Sequence, residues 1–242
     1  MKTVDAVLMH WRRGWSESII DSLKAQTHPC RVILVDASAD GGKPLPAGAL
    51  AKCDVVLSTS KNIGAWNRLH CIWECRADYT FHLDDDLSPG PRAVEHFVRH
   101  AERIGRFAVL GQFGRMYPDG MIDRKTCVGQ QAHPVEVDNI VRGYFMPTAA
   151  HARMVDLKHL QLNTRGEDIS FSCGLKMHLG LKSYITPAEG RDTLIDTEGR
   201  DDGMGMCDEP EAHRNDRQAV LDALLARGWK PIIDGHRSVK SL

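Results

Sequence analysis

The sequence predicts an α/β protein with a mostly parallel central sheet flanked by helices. Short apolar runs alternate with amphipathic segments through roughly the first 110 residues, which is typical of βαβ units. The run Arg31–Asp36 is almost continuously apolar and ends in an acid, as expected for a parallel strand covered on both faces. A third run, Tyr79–Leu83, leads into three consecutive aspartates, Asp84–Asp86, at the end of a strand where open α/β sheets bind their ligands.

The individual elements follow from periodicity and breakers. The predicted strands share short, β-prone apolar runs: residues 4–9, 31–36, 54–58, 79–83, 107–111 and 181–187. The predicted helices share a 3.6-residue apolar period: residues 16–24, 62–73, 91–103, 167–180 and 216–228. The alternation favours a nucleotide-binding half over residues 1–106.

Residues 107–242 have a different character and are predicted to form the second half of one domain that spans residues 1–242. Gly-rich turns and the alternating segment Val135–Asp138 indicate a small antiparallel element that faces an acceptor. The aromatic stretch Arg142–Pro147 is assigned to core packing rather than to an acceptor wall. Residues 188–215, charged and without period, are predicted to form a lid loop before the last helix.

The amino-acid composition restricts the classes of function that the protein can have. The formal net charge of the 242 residues is -1, which excludes a global electrostatic funnel for nucleic acid. The N-terminus lacks the apolar core of a signal peptide, and no run reaches transmembrane length, so a soluble cytoplasmic protein is expected. Seven cysteines without a Cys-x-x-Cys pair indicate free thiols. Cys71 and Cys75 are one helical turn apart, but zinc there would need further ligands, so a core role is predicted for them.

The acidic triplet is the first candidate for chemistry. In a strand, Asp84 and Asp86 would point to one side and Asp85 to the other. Two carboxylates at a strand end make a hard-oxygen site for Mg²⁺ or Mn²⁺, best completed by substrate phosphates. The alternative is a solvated turn in which Asp86 or Ser88 caps the next helix. The sequence has neither Gly-x-Gly-x-x-Gly after the first strand nor a P-loop, so phosphates would be held through a metal.

A second pair of acids, Glu167 and Asp168, opens a predicted helix that ends at Gly180. Acids in a first turn are favoured by the helix dipole without any function. Near a metal site, a carboxylate in this position would instead be a pre-positioned general base.

Four pieces in this order match a known pattern. They are residues 22–27 followed by the strand at 32–36, Asn62-x-Gly64 before a helix, Asp84–Asp86 as the counterpart of Asp-x-Asp, and Glu167-Asp168 opening a helix. Over roughly residues 4–187, the chain resembles the inverting GT-A glycosyltransferases of the glycosyltransferase family 2 type. The resemblance implies a GT-A fold, a nucleotide-sugar donor, most often a UDP-sugar, and a divalent cation, Mn²⁺ or Mg²⁺.

The resemblance also implies roles for residues on the donor side. Asp36 would bind the nucleobase of the donor, and a turn or helix cap is its alternative role. Asn62, Gly64 and Arg68 belong to the donor-binding segment.

Metal and base residues follow in the same way. Asp84 would face the ribose or a metal-bound water, with Asp85 beside it in the donor site, and Asp86 would bind the metal that bridges the diphosphate. Asp168 would take the proton of the acceptor hydroxyl, with Glu167 orienting it or the acceptor. His213 is the candidate for a late metal ligand.

The expected activity is transfer of one sugar, with inversion, to an acceptor hydroxyl. A glycan or small molecule is one acceptor; hydroxymethylated pyrimidine in phage DNA is another, because the loop His10–Trp15 carries aromatic and basic residues that could contact a backbone and stack a base. The same loop would otherwise form a wall of the donor site. Two other classes stay open: a nucleotidyltransferase, which would carry a Gly-rich phosphate loop, and a non-catalytic nucleotide-sugar-binding module.

Overall fold

The computed structural model describes residues 1–105, 107–154, 165–197 and 210–233, without the side chains of residues 69 and 70. Its strands are β1 (Val4–His10), β2 (Arg31–Asp36), β3 (Val55–Ser58), β4 (Tyr79–Leu83), β5 (Leu87–Pro89), β6 (Ala108–Gly111), β7 (Phe113–Met116), β8 (Thr126–Val128), β9 (Val135–Val137), β10 (Asn139–Val141), β11 (Tyr144–Pro147), β12 (Lys182–Ile185) and β13 (Ile195–Thr197). Its α-helices are α1 (Ser16–Lys24), α2 (Ala47–Lys52), α3 (Ala93–Ile104), α4 (Thr148–Arg153), α5 (Glu167–Leu179) and α6 (Pro210–Ala226).

Eight strands form the central sheet in the order β3-β2-β1-β4-β11-β6-β12-β9. Strands β3, β2, β1 and β4 are parallel, and β6 pairs parallel with β12. Only β11 and β9 run against the others within this sheet. The prediction of a mostly parallel central sheet is therefore confirmed.

Both faces of the sheet are covered, which explains the continuous apolar runs. In β1, Ala6 and Leu8 belong to the cluster that packs under α1 and α3, whereas Val7 and Met9 face the opposite cluster with Cys71. The second cluster lies under a 3₁₀ helix, Gly64–Cys71, which replaces the α-helix predicted over residues 62–73. Near-continuous apolar runs are typical of parallel strands that are buried on both faces.

The aromatic stretch before Pro147 lies in the core, as predicted. It forms β11, which inserts between β4 and β6 with Phe145 opposite Phe81. The ring of Phe145 stacks on Tyr79 at 4.9 Å between centroids and on Phe97 at 5.5 Å. Stacked aromatic pairs of this kind contribute about 0.5–1.5 kcal/mol each beyond their burial.

Two small antiparallel sheets complete the fold. One has the order β10-β7-β8, which matches the predicted antiparallel element in the second half. The other pairs β5 with β13 through Ser88 and Asp196. It ties the segment after the aspartate triplet to the chain that follows β12.

The predicted lid boundaries, 188–215, are wrong where the structure describes them. Residues Arg191–Thr193 form a 3₁₀ helix and β13 follows, because the backbone of this segment bonds to Gly90, Arg92 and the Gln112 side chain. The last helix spans Pro210–Ala226 rather than 216–228, and Arg217 anchors its first half by ion pairing. The middle of the predicted lid, residues 198–209, lies outside the described residues.

Candidate active site

A cavity of about 580 Å³ opens at the carboxyl ends of β1 and β4. The parallel register places His10 opposite Asp36 and Leu8 opposite Leu83, so the loops after these strands meet at one edge. Among the residues that line the cavity are all three aspartates of the triplet, both acids of the α5 first turn, and residues of the 3₁₀ helix and α6. Ligands of open α/β sheets bind at such an edge.

The triplet lies in a turn, which corrects the expected strand geometry. Strand β4 ends at Leu83, and the Leu87 amide donates to the carbonyl of Asp84 at 3.1 Å. Side-chain alternation therefore does not set where these carboxylates point. The alternative of a helix cap is not found either, since the N-cap of α3 is Arg92 and it has no side-chain cap bond.

Asp85 organises the loop after β1. Its Oδ2 atom accepts the backbone N–H groups of Trp11, Arg12 and Arg13 at 3.2–3.3 Å. Three donors on one carboxylate oxygen fix the loop backbone beside the cavity. Arg12 stacks on the Trp11 ring, with its guanidinium carbon 3.7 Å from the centroid, so this loop forms a wall next to the triplet.

Asp84 and Asp86 are the two carboxylates available for a cation. Arg13 Nη1 lies 2.9 Å from Asp86 Oδ2, and Arg68 pairs with Asp84. Burial and then repulsion from Asp84 raise the pKa of Asp86 to about 6, although Arg13 acts in the opposite direction. A carboxylate whose ionised form is disfavoured by burial and by a second carboxylate would be stabilised by a divalent cation with oxygen ligands.

Arg68 joins the triplet to the second acidic pair. It is only 2% exposed, and its Nη1 donates to the Tyr144 hydroxyl at 2.6 Å and to Glu167 Oε1 at 3.3 Å. Its other terminal nitrogen bonds to Asp84, and its guanidinium carbon lies 5.0 Å from the centroid of the Tyr144 ring. A buried cation with this many partners holds the two acidic groups in a fixed relation.

The start of α5 is fixed by packing against α6. Gly166, the N-cap residue, has φ of 78°, and a Cβ there would lie 3.2 Å from a methyl group of Val220. A glycine at this position allows the left-handed turn and the close helix contact together. Glu167 and Asp168 consequently occupy the first helical turn, as predicted, and both are buried.

Glu167 and Asp168 have different pKa values and therefore different charges near neutral pH. Burial and the neighbouring Asp168 raise the pKa of Glu167 to about 7, although Arg68 lowers it. Burial also opposes ionisation of Asp168, but Arg217 and Asn139 outweigh it and lower the pKa of Asp168 to about 2. Arg217 binds Asp168 through two parallel hydrogen bonds of 2.9 and 2.8 Å, and Asn139 donates a third at 3.0 Å.

His213, the predicted late ligand, lies on α6 one turn before Arg217 and lines the same cavity. Its Nδ1 atom is buried and has no hydrogen-bond partner in the described part of the chain. Burial and the positive charge of Arg217 lower the pKa of His213 to about 4, so the ring is neutral at physiological pH. A neutral imidazole with an unpaired nitrogen is a suitable metal ligand.

Of the other residues predicted to bind the donor, two line the cavity and one does not. Asn62 and Gly64 line the cavity; Asn62 Oδ1 accepts the Gly64 amide at 2.8 Å and the Asn67 side chain at 2.7 Å. Asp36 ends β2, but its Oδ1 accepts the Ser38 amide at 2.9 Å, the turn-cap role given as its alternative. Its neighbour Ala37, rather than Asp36, lines the cavity.

Sequence reasoning missed several cationic and aromatic groups of the site. Arg217 and Arg115 line the cavity near Asp168, and Tyr144 supports Arg68. For Arg217 a signal was present, because it follows His213 by four residues and shares its helix face. The others reach the cavity through sheet pairing between distant segments, which no local pattern reveals.

No helix in the described residues is long and apolar enough to cross a membrane.

The chain is similar to known proteins in structure and in sequence. The solved structure of TarS from S. aureus aligns with a TM-score of 0.49 and 14% identity, over 78% of this chain. The chain spans only 37% of the length of that structure. No curated protein sequence matches the chain. The sequence profile of Glycosyl transferase family 2 matches residues 16–150, which is more than half of the chain and contains the aspartate triplet. The chain therefore belongs to glycosyl transferase family 2 and has the GT-A fold.

Proposed function

We propose that the protein moves one sugar from a nucleotide-sugar donor, most often a UDP-sugar, to an acceptor hydroxyl, with inversion at the anomeric carbon. The observation that carries this proposal is the single cavity shared by the Asp84–Asp86 triplet and the Glu167–Asp168 pair. The carboxylates of the triplet suit a cation bound to a diphosphate, and the carboxylates of the α5 first turn suit proton removal. The chain works as one domain, with residues 1–106 binding the donor and residues 107–242 binding the acceptor.

Asp86 and Asp84 would hold a divalent cation through hard carboxylate oxygen atoms. His213 lines the same cavity, and its Nδ1 has no partner among the described residues, but the ligand atoms of these three residues do not all lie within 4.8 Å of one another, so His213 would have to move to join the cation. A bound Mn²⁺ or Mg²⁺ would supply positive charge that stabilises the leaving nucleoside diphosphate. Asp85 holds the wall of the cavity that Trp11–Arg13 form. The donor would be supported by Asn62, Gly64 and Arg68. Asp36 lies one residue from the cavity wall and remains the candidate for contact with the nucleobase.

Asp168 takes the proton, on the condition that Arg217 first leaves it. In the described geometry both carboxylate oxygens are bonded to Arg217, and a pKa of about 2 makes Asp168 a weak base. A diphosphate entering the cavity offers Arg217 a partner of greater negative charge. Exchange of Arg217 from Asp168 to the diphosphate would raise the pKa of Asp168 only when a donor is bound, which couples base strength to donor binding.

The transfer step forms one bond, breaks one bond and moves one proton. The acceptor oxygen forms a bond to the anomeric carbon, the bond from that carbon to the diphosphate oxygen breaks, and the hydroxyl proton moves to Asp168. The nucleoside diphosphate leaves with the bonding electron pair. Glu167, held by Arg68, orients Asp168 or the acceptor. General-base assistance of this kind contributes roughly 10²–10⁴-fold in rate.

A nucleotide-release assay tests the proposal. UDP-, GDP- and dTDP-sugars are incubated with Mn²⁺, alone, with glycan or small-molecule acceptors, and with plain or hydroxymethylated DNA. Metal-dependent release with one donor class supports the transferase, and the acceptor that stimulates release identifies the acceptor class. Absence of release together with absence of a thermal shift by every donor would favour the binding module, and release of pyrophosphate would favour the nucleotidyltransferase.

A further inference from the structure

A second group of metal-ligating side chains lies beneath the active site, on the inner side of the 3₁₀ helix Gly64–Cys71. The sulfur atoms of Cys71 and Cys75 and a ring nitrogen of His151 all lie within 4.8 Å of one another. Cys71 ends the 3₁₀ helix, Cys75 follows one turn later, and His151 comes from α4. Two sulfur atoms and one imidazole from three segments of the chain therefore lie close together in the interior.

The spacing of the sulfur atoms fits a tetrahedral ion. They are 4.0 Å apart. With Zn–S bonds of about 2.3 Å, two sulfurs of a tetrahedral site lie roughly 3.8 Å apart. The backbone amide of Cys75 donates to the Cys71 carbonyl at 3.1 Å, so a helical turn holds the two thiols on one side.

Unsatisfied histidines point to an absent partner at the same place. His151 is fully buried, and so is His82 of β4, whose ring lies edge-on to it with centroids 4.4 Å apart. Within the described residues, neither nitrogen of either ring has a hydrogen-bond partner. A neutral imidazole has one donor and one acceptor to satisfy, and each buried unsatisfied group costs about 1–3 kcal/mol.

The histidines of a second cluster, by contrast, have hydrogen-bond partners. His96 and His100, one turn apart on α3, lie with Glu189 in a comparable group. There, His96 bonds to Glu189 and Thr186 at 3.0 and 2.9 Å, and His100 bonds to Glu189 at 2.8 Å. That cluster satisfies itself, whereas the imidazoles of His151 and His82 have no comparable partners within the described residues.

We propose that Cys71, Cys75 and His151 bind a structural Zn²⁺ ion, with His82 turning toward it as the fourth ligand. Two thiolates neutralise the charge of Zn²⁺, which permits full burial, and a thiolate–imidazole set selects zinc over Mg²⁺ or Mn²⁺.

The site would brace the donor-binding segment. Cys71 ends the helix that carries Arg68, and His82 precedes Asp84 by two residues. A zinc ion would therefore link the helix that carries Arg68 to the strand that ends at the aspartate triplet. Its role is structural, because none of its ligands lines the cavity.

Metal content of the purified protein tests the proposal. The reduced wild-type protein, produced with zinc in the medium and dialysed against a weak chelator, is expected to retain one zinc per chain by elemental mass spectrometry. Replacement by Co²⁺ should give the intense near-ultraviolet charge-transfer band of a cobalt–thiolate bond, a signal that a carboxylate site does not produce.

Matched variants locate the ion. Cys75→Ser is expected to lose the zinc and the cobalt–thiolate band, and to lower the melting temperature. Cys127→Ser, at an exposed position, His100→Gln, in the satisfied cluster, and Asp86→Asn, in the active site, should each retain one zinc. Wild-type protein without zinc and without the cobalt–thiolate band overturns the proposal, as does a Cys71–Cys75 disulfide in freshly isolated protein. Because the cobalt measurement uses the wild-type chain, it decides the matter even if Cys75→Ser does not fold.

Discussion

The pH dependence of kcat/KM distinguishes the two neighbouring carboxylates as proton acceptors. For the free enzyme, the pKa of Glu167 is about 7 and that of Asp168 is about 2. At pH 5, a base with a pKa near 7 is only about 1% ionised, which lowers kcat/KM roughly 100-fold relative to pH 8. A base with a pKa near 2 stays ionised over this whole range.

Because Asp168 is the proposed base, we expect the wild-type and Glu167→Gln proteins to have pH profiles of the same shape between pH 5 and 8. The assay is initial-rate nucleotide release at saturating Mn²⁺, so that protonation of Asp86 does not limit metal binding. Glu167→Gln should lose less than about tenfold in kcat/KM, whereas Asp168→Asn should lose roughly 10²–10⁴-fold. Asp123→Asn, which changes an exposed carboxylate that pairs with Arg214 of α6, serves as the matched control.

One result would refute this reasoning. If wild-type kcat/KM falls tenfold per pH unit below about pH 7, and Glu167→Gln removes both that limb and most of the activity, then Glu167 takes the proton. Asp168 would in that case serve to hold Arg217 in place, as it does in the described geometry.

Three further predictions concern the same cavity. Asp85→Asn weakens the acceptor for three backbone N–H groups of the Trp11–Arg13 loop, so about 1–2 kcal/mol of loop stabilisation is lost. The KM for the donor should rise roughly tenfold, with little change in kcat. An unchanged KM would show that other contacts hold the loop. Asp86→Ala should abolish Mn²⁺-dependent donor binding in calorimetry, and persistence of that binding would mean that the triplet is only a turn. The raised pKa of Glu167 contributes stability below about pH 4.5 that is lost as pH rises through about 7. Glu167→Gln should therefore gain about 3 kcal/mol in unfolding free energy, relative to wild type, on going from pH 4 to pH 8; equal pH dependence of the two melting temperatures would contradict the shift.

The parts of the fold that sequence reasoning predicted are those set by local chemistry. The apolar run of β2 and the first turn of α5 at Glu167 follow from periodicity and breakers alone. The aspartates after β4 were found because three adjacent acids next to a Pro-Gly-Pro breaker are conspicuous at the end of a buried strand. Their orientation was not predictable, because the turn that sets it depends on Asp85 reaching the loop after β1.

The parts that were missed depend on segments far apart in the chain. Arg217 enters the site through the contact between α6 and α5, and the apolar period of α6 begins only at Val220, which placed the predicted start of the helix too late. The core role predicted for Cys71 and Cys75 is confirmed, since Cys71 is buried in one core cluster and Cys75 packs against it. The sequence does not show that His151 lies beside their sulfur atoms, because His151 comes from α4, which pairing of β11 with β4 brings into place.

The position of β11 also has a consequence for how the chain is made. Strand β4 pairs with β1 on one edge, but its other edge is occupied by β11, which comes after six intervening strands in the chain. During synthesis, the first four parallel strands can associate as they emerge, while Tyr79, Phe81 and the unpaired backbone of β4 stay open to other chains until Pro147 has been made. A fragment that stops at residue 106 would therefore expose a long apolar strand edge. We expect it to aggregate rather than to persist as a separate donor-binding unit, so the two functional halves depend on each other already as the protein folds.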